Sequence, residues 1–161
     1  MHVARKLRAL LSEQDLEKNI CVVVNLFDNA KDLINENERL DVAELFLLAG
    51  KKAMSCTAPK QAFQYFVSGI ELLGRDSWRT RHKLSVDMHN NAAKSAYCMM
   101  DYSKMKELIN EILNSTTETS DLVTPYLLLI RMYGDKWMNE DVITNASKIL
   151  HELGESISIN P

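Results

Sequence analysis

Five glycines and three prolines are all the backbone breakers that 161 residues carry. A chain built from strands must turn every ten positions or so, and those turns draw on Gly, Pro, Asn and Asp. So few breakers argue against barrels, sandwiches and Gly-rich nucleotide-binding folds. Apolar residues make up 46% of the chain and charged residues 25%, which is ordinary globular usage and supplies one buried core. The fold class expected is all-α, with residues 1–161 forming a single helical domain.

Apolar residues recur with the helical period almost end to end. Val3, Leu7, Leu10 and Leu11 mark a first short helix. Ser12 can cap a second, with Asp15 three residues on, and its stripe runs through Leu16, Ile20, Val23, Val24, Phe27 and Ile34. Three consecutive valines also allow a short strand there, but the helical spacing continues past them. The polar break Asn35–Glu38 leads to a third helix through Leu40, Phe46, Leu47 and Ala53. Pro59 suits the first turn of a fourth, which Gly74 ends. Asp76 should cap one long fifth helix reaching Ala96, and a tight turn at Met100–Tyr102 opens a sixth. Thr, Ser and Glu between Ser115 and Ser120 form a loop, after which Asp121 and Pro125 sit in the first turn of a seventh helix to about Asp135. An eighth spans about Glu140 to Leu153, stopped by Gly154.

Charge and cysteine usage narrow the function classes. Nineteen Lys and Arg against 22 Asp and Glu give a net charge of −3, with no electrostatic reason to expect a nucleic-acid footprint. Two basic clusters, Arg5/Lys6/Arg8 and Arg75/Arg79/Arg81/Lys83, read as solvated helix faces. Cys21, Cys56 and Cys98 are odd in number and form no C-x-x-C pair, so neither a disulfide framework nor a zinc knuckle fits. Arg5, Lys6 and Arg8 interrupt any leader-like start, and no apolar run approaches a membrane span. A cytoplasmic protein without membrane contact is the expectation.

Paired in order, the helices give hairpins over 36–74, 76–115 and 121–154, preceded by N-terminal helices in 1–35 and followed by a tail, 155–161. Within the first hairpin, Gly50, Ala62, Phe66, Gly69 and Gly74 resemble the tetratricopeptide pattern of small residues, aromatic and terminal breaker. Small residues there let paired helices approach closely, and the aromatic fills the gap to the next layer. The second hairpin keeps Ala93 and Asp101–Tyr102, and the third keeps Ala146, Ile149 and Gly154. The resemblance implies a right-handed superhelix of about eight antiparallel helices.

A second resemblance is carried by the run from Glu36 to Ala58 (ENERLDVAELFLLAGKKAMSCTA). It is similar to the helical repeat region that follows the AAA-like ATPase module in multidomain sensor histidine kinases and serine/threonine kinases. Ala43, Leu45, Leu47, Ala49, Gly50, Lys52 and Ala53 answer that region's A-x-L-x-L-x-A-G-x-K-A. Ala62, Tyr65, Gly69, Ile70, Leu72 and Leu73 answer a later segment; Asp76, Trp78, Ala92, Ala93, Ala96 and Tyr97 answer the next. Pro59 and Val142 depart from the pattern. The resemblance implies a non-catalytic signalling scaffold, a fragment of a larger protein, touching neighbouring ATPase, sensor or kinase domains. The sequence has no G-x-x-x-x-G-K-[ST] loop and no H-R-D or D-F-G motif of its own.

No catalytic, metal or cofactor constellation emerges from spacing. His82 and His89 lie seven apart on one helix without further ligands in register, which suits a surface or partly packed role. The candidate site is instead the inner surface formed by the first helix of each hairpin. Lys51, Asn90, Lys94 and Arg131 fall near it and could clamp an acidic peptide or a terminal carboxylate. A stand-alone adaptor using that groove is the alternative to the scaffold.

Overall fold

Side chains close the helix ends largely where the sequence places them. In the computed structural model, which describes residues 1–135, 143, 144, 146–148 and 151, the chain is all-helical, with no strand among the described residues. Helix α1 spans His2–Leu10 and α2 spans Glu13–Asp28. Ser12 caps α2, its hydroxyl oxygen accepting from the Asp15 backbone N–H at 3.2 Å while the hydroxyl donates to the Asp15 carboxylate at 2.7 Å. Helix α2 stops short of Ile34. That residue follows a 3-10 turn at Lys31–Leu33, takes an extended backbone, and still drops its side chain into the core at 6% exposure.

The polar break has structure of its own. Asn35 and Glu38 form a capping box around a 3-10 turn at Glu36–Glu38, which leads into α3, Arg39–Ser55. Pro59 opens α4, Pro59–Leu73, and Gly74 ends it with φ +68°.

The expected long fifth helix is two helices. A four-residue α5, Ser77–Thr80, is separated from α6, His82–Cys98, by Arg81 with φ −140° and ψ 46°. The break lets Trp78 fold back until its ring lies 4.7 Å from that of His89. In one continuous helix these residues, eleven apart, would stand about 16 Å apart along the axis. The Ser85 hydroxyl donates to the Ser77 hydroxyl at 2.8 Å and pins the bend internally.

Met100, with φ +58°, makes the next tight turn, and Asp101 caps α7, Tyr102–Ser115, by accepting from the Lys104 N–H at 3.2 Å. Helix α8, Thr119–Asp135, begins three residues ahead of the expected Leu122, so Pro125 lies inside it rather than in its first turn. The proline ring there is buried, and position 125 gives no N–H to the carbonyl of Asp121. The expected eighth helix, Gly154 and the tail lie outside the described residues, apart from helical backbone at 143, 144, 146–148 and 151.

The helices stack as successive layers. Helix α3 pairs with α4, α6 with α7, and α6 also packs on α4 and α8. The core holds fully buried Phe27, Phe46 and Phe66. Gly50 in α3 touches the Phe66 ring so closely that a Cβ at position 50 would overlap it. Gly69 in α4 does the same for the next layer, where an added Cβ would meet Met88 Cε of α6 at 2.5 Å. Met88 and Ala92 of α6 complete the first cluster, while Ala93 and Ala96 of the same helix belong to a second one with α7 and α8.

Candidate functional site

The four residues singled out by sequence fall on the first helices of the hairpins: Lys51 on α3, Asn90 and Lys94 on α6, Arg131 on α8. Lys51, Lys94 and Arg131 are exposed. Lys51 Nζ stands 3.9 Å from Asp87 Oδ2 on α6, so it reaches across to the neighbouring layer. Asp87 and Lys94, seven residues apart, share one face of α6. Two exposed leucines flank the cations: Leu48, 55% exposed, one turn before Lys51, and Leu127, 47% exposed, one turn before Arg131. The first helices α3, α6 and α8 thus carry exposed cations, and Lys51 meets a carboxylate of the next layer, with exposed leucines on α3 and α8.

Asn90 differs from the other three. It is buried at 8% exposure, and its carboxamide oxygen has no hydrogen-bond partner among the described residues. It shares a face of α6 with Tyr97, seven residues on, whose hydroxyl donates to Asp135 of α8 at 2.7 Å. The Asp135 carboxylate, with burial second, pushes the Tyr97 phenol up to about 12, partly offset by the nearby Arg131 charge. Asn90 lies three residues after Asp87 and four before Lys94, so it shares their stripe of α6 while its own side chain is buried.

Between α2 and α3 the surface opens into a cleft of about 780 Å³, lined by Leu16, Ile20, Leu48, Lys51, Lys52 and Ser55 among others. The Lys52 ammonium is committed there, donating to the carbonyls of Glu17 and Lys18 at 2.6 and 2.7 Å. Lys51 and Lys52, adjacent in sequence, thus have separate tasks: one ties α3 to α2, the other reaches toward α6.

Spacing alone does not reveal the cluster around Trp78. His82 Nε2 lies 2.6 Å from Asp121 Oδ2, and His89 Nε2 lies 2.9 Å from Glu111 Oε2. The seven-residue spacing puts both rings on one face of α6, but their carboxylate partners come from 39 and 22 residues downstream. The Asp121 hydrogen bond is the main cause that raises the His82 imidazole above its ordinary value; burial opposes it, and the Trp78 carbonyl and the charges of Asp121 and Glu118 add to it.

Among the described residues no group of three or more His, Cys, Asp or Glu side chains is placed to hold a metal ion, and no helix is long and apolar enough to cross a membrane. In comparisons with known proteins, no family model, no curated protein and no solved structure matches the chain.

Proposed function

We propose that this chain is a non-catalytic helical scaffold, stacked as a tetratricopeptide-like right-handed superhelix, that receives a protein partner on the inner surface of α3, α6 and α8. The observation that carries the reading is the division of labour within α6. Its buried faces hold α4, α7 and α8, while Lys94 is exposed and the half-exposed Asp87 is met by Lys51 of α3 at 3.9 Å. A helix that joins three neighbours and still presents charged side chains supports an exposed docking face between layers. The setting we propose, next to an ATPase module in a signalling kinase, follows from the sequence resemblance.

A second reading, a stand-alone adaptor for an acidic peptide, is favoured by the exposed cations Lys51, Lys94 and Arg131 on the first helices, whose charge suits carboxylates.

Fluorescence anisotropy with labelled acidic peptides tests the inner face. Affinity should weaken roughly tenfold in Lys94→Ala/Arg131→Ala, and fall as salt rises. Peptide binding that is indifferent to both substitutions would place the contact elsewhere and overturn the reading.

A further inference from the structure

The two histidines of α6 are held in the same manner. His82 Nδ1 lies 3.3 Å from the Trp78 carbonyl and its Nε2 2.6 Å from Asp121 Oδ2. His89 Nδ1 lies 2.8 Å from the Ser85 carbonyl and its Nε2 2.9 Å from Glu111 Oε2. Each ring therefore stands between a main-chain carbonyl four residues back and a carboxylate from a later helix. Carbonyls and ionised carboxylates only accept, and a neutral imidazole has a single N–H. Both contacts of a ring are hydrogen bonds at once only when both nitrogens carry protons.

The two pairs differ in access. The His89 side chain is 4% exposed and packs under Trp78, whereas the His82 side chain is 39% exposed and meets Trp78 edge-on at 6.1 Å. His82 is the ring that water reaches. Its partner Asp121 sits in the first turn of α8 and also accepts from the Thr116 hydroxyl at 3.0 Å. Thr116 in turn accepts from the Glu118 N–H, so the loop before α8 is organised around the same carboxylate.

We propose that the His82–Asp121 pair is a proton-operated joint between the second and third hairpins, closed while the imidazole is doubly protonated and loosened by its deprotonation. When His82 loses a proton, a lone pair faces either the Trp78 carbonyl or Asp121. With the remaining proton on Nδ1 the Asp121 contact is gone, and with it on Nε2 the contact survives only as a hydrogen bond from a neutral ring. The carboxylate keeps its bond to Thr116 either way, so α8 stays tied to its own loop while this link to α6 is weakened. The charged and titratable groups around the ring are Asp121 and Glu118 from the α8 side, Arg81 from the break before α6, Lys83 and Asp87 from α6, and Glu44 from α3 across the adjoining cleft. The carboxylates favour the imidazolium and the two cations oppose it. The direction of the His82 shift, upward, agrees with the geometry. A raised folded-state value makes the joint fully effective below the unfolded value of about 6.5 and lost as pH rises through the higher folded one.

Hydrogen exchange by mass spectrometry on the full chain tests this. The readout is the protection of α8 peptides divided by that of α3–α4 peptides in the same sample, each corrected for intrinsic exchange. Between about pH 5.5 and about pH 8.5 the ratio should fall roughly two- to fivefold, the range of a partly exposed ion pair. His82→Gln and Asp121→Asn should each make it independent of pH. An unchanged ratio in the wild type, or a pH response that persists in both variants, overturns the joint. Should the variants fail to fold, the wild-type imidazole titration by NMR decides. A His82 midpoint shared with α8 amide shifts supports the joint, and unrelated midpoints refute it.

Discussion

Gly50→Ala is the substitution in which two opposing effects of known size meet. In a helix interior, alanine is favoured over glycine by about 1 kcal/mol, so at an open position the change stabilises. At position 50 the new Cβ would run into Cε1, Cζ and Cδ1 of Phe66. That ring is fully buried and has no solvent-facing side to which it can swing. Overpacking of this kind costs about 1–3 kcal/mol, and overlap with three carbons of a confined ring belongs at the upper end. The net expectation is destabilisation by about 2 kcal/mol, or a fall in melting temperature of roughly 4–8 °C for a chain of this length. Gly134→Ala is the control: it too lies in a helix, near the end of α8, and a Cβ there meets nothing within 4 Å among the described residues. It should stabilise by about 0.5–1 kcal/mol. Thermal and urea denaturation of both variants, with Phe66→Leu added to form a double-mutant cycle, measure the coupling directly. If Gly50→Ala stabilises as much as Gly134→Ala, close approach of α3 and α4 is not what requires the glycine.

Asn90→Leu removes a buried, unpartnered oxygen in exchange for an apolar group of similar size, and should raise stability by about 1 kcal/mol in chemical denaturation; a loss of stability would mean that the oxygen is satisfied in solution. At the other end of the chain, Glu38 accepts from Arg5 Nε and Nη2 at 3.1 and 2.5 Å and from the Asn35 N–H at 2.9 Å. Arg5 foremost, then the Asn35 N–H, holds the Glu38 carboxyl below its ordinary value of 4.5. The stabilisation it gives is therefore present above the unfolded value and lost as pH falls through the folded one. Helix α1 should lose amide protection in acid before α3 does, and Glu38→Gln should cause the same loss at neutral pH; protection of α1 that ignores both changes would refute the assignment.

Where a single residue settles local geometry, the sequence is a good guide. Ser12, Pro59, Asp101 and Gly74 start or stop helices in the expected places, and Gly50 and Gly69 lie at helix contacts. Each acts through its own backbone or its missing Cβ, and needs no knowledge of distant partners. The break at Arg81 is different, because arginine is a good helix former and the bend draws its return from contacts across it, the packing of Trp78 over His82 and His89 and the Ser85–Ser77 hydrogen bond. Ile34 misleads for a related reason: its spacing fits the α2 stripe, yet it reaches the core by way of a 3-10 turn. The Asn35–Glu38 capping box carries a readable signal, an Asx residue with a Glu three positions on. For the candidate site, the placement of Lys51, Lys94 and Arg131 on first helices follows from periodicity. The burial of Asn90 does not, since it stands one turn before the exposed Lys94 and spacing alone treats the two alike.

Consecutive pairing of the layers also bears on how the chain reaches this state. Helix α3 finds α4, α4 finds α6 and α6 finds α7 across connections of only a few residues, and the α6–α8 contact skips a single helix. Little loop-closure entropy stands between these partners, which places the chain among fast-folding topologies. Each layer can dock as soon as its second helix leaves the ribosome, without waiting for the C-terminal half. Because Met88 and Ala92 serve the earlier layer and Ala93 and Ala96 the later one, α6 is the step at which a nascent chain passes from one cooperative unit to the next.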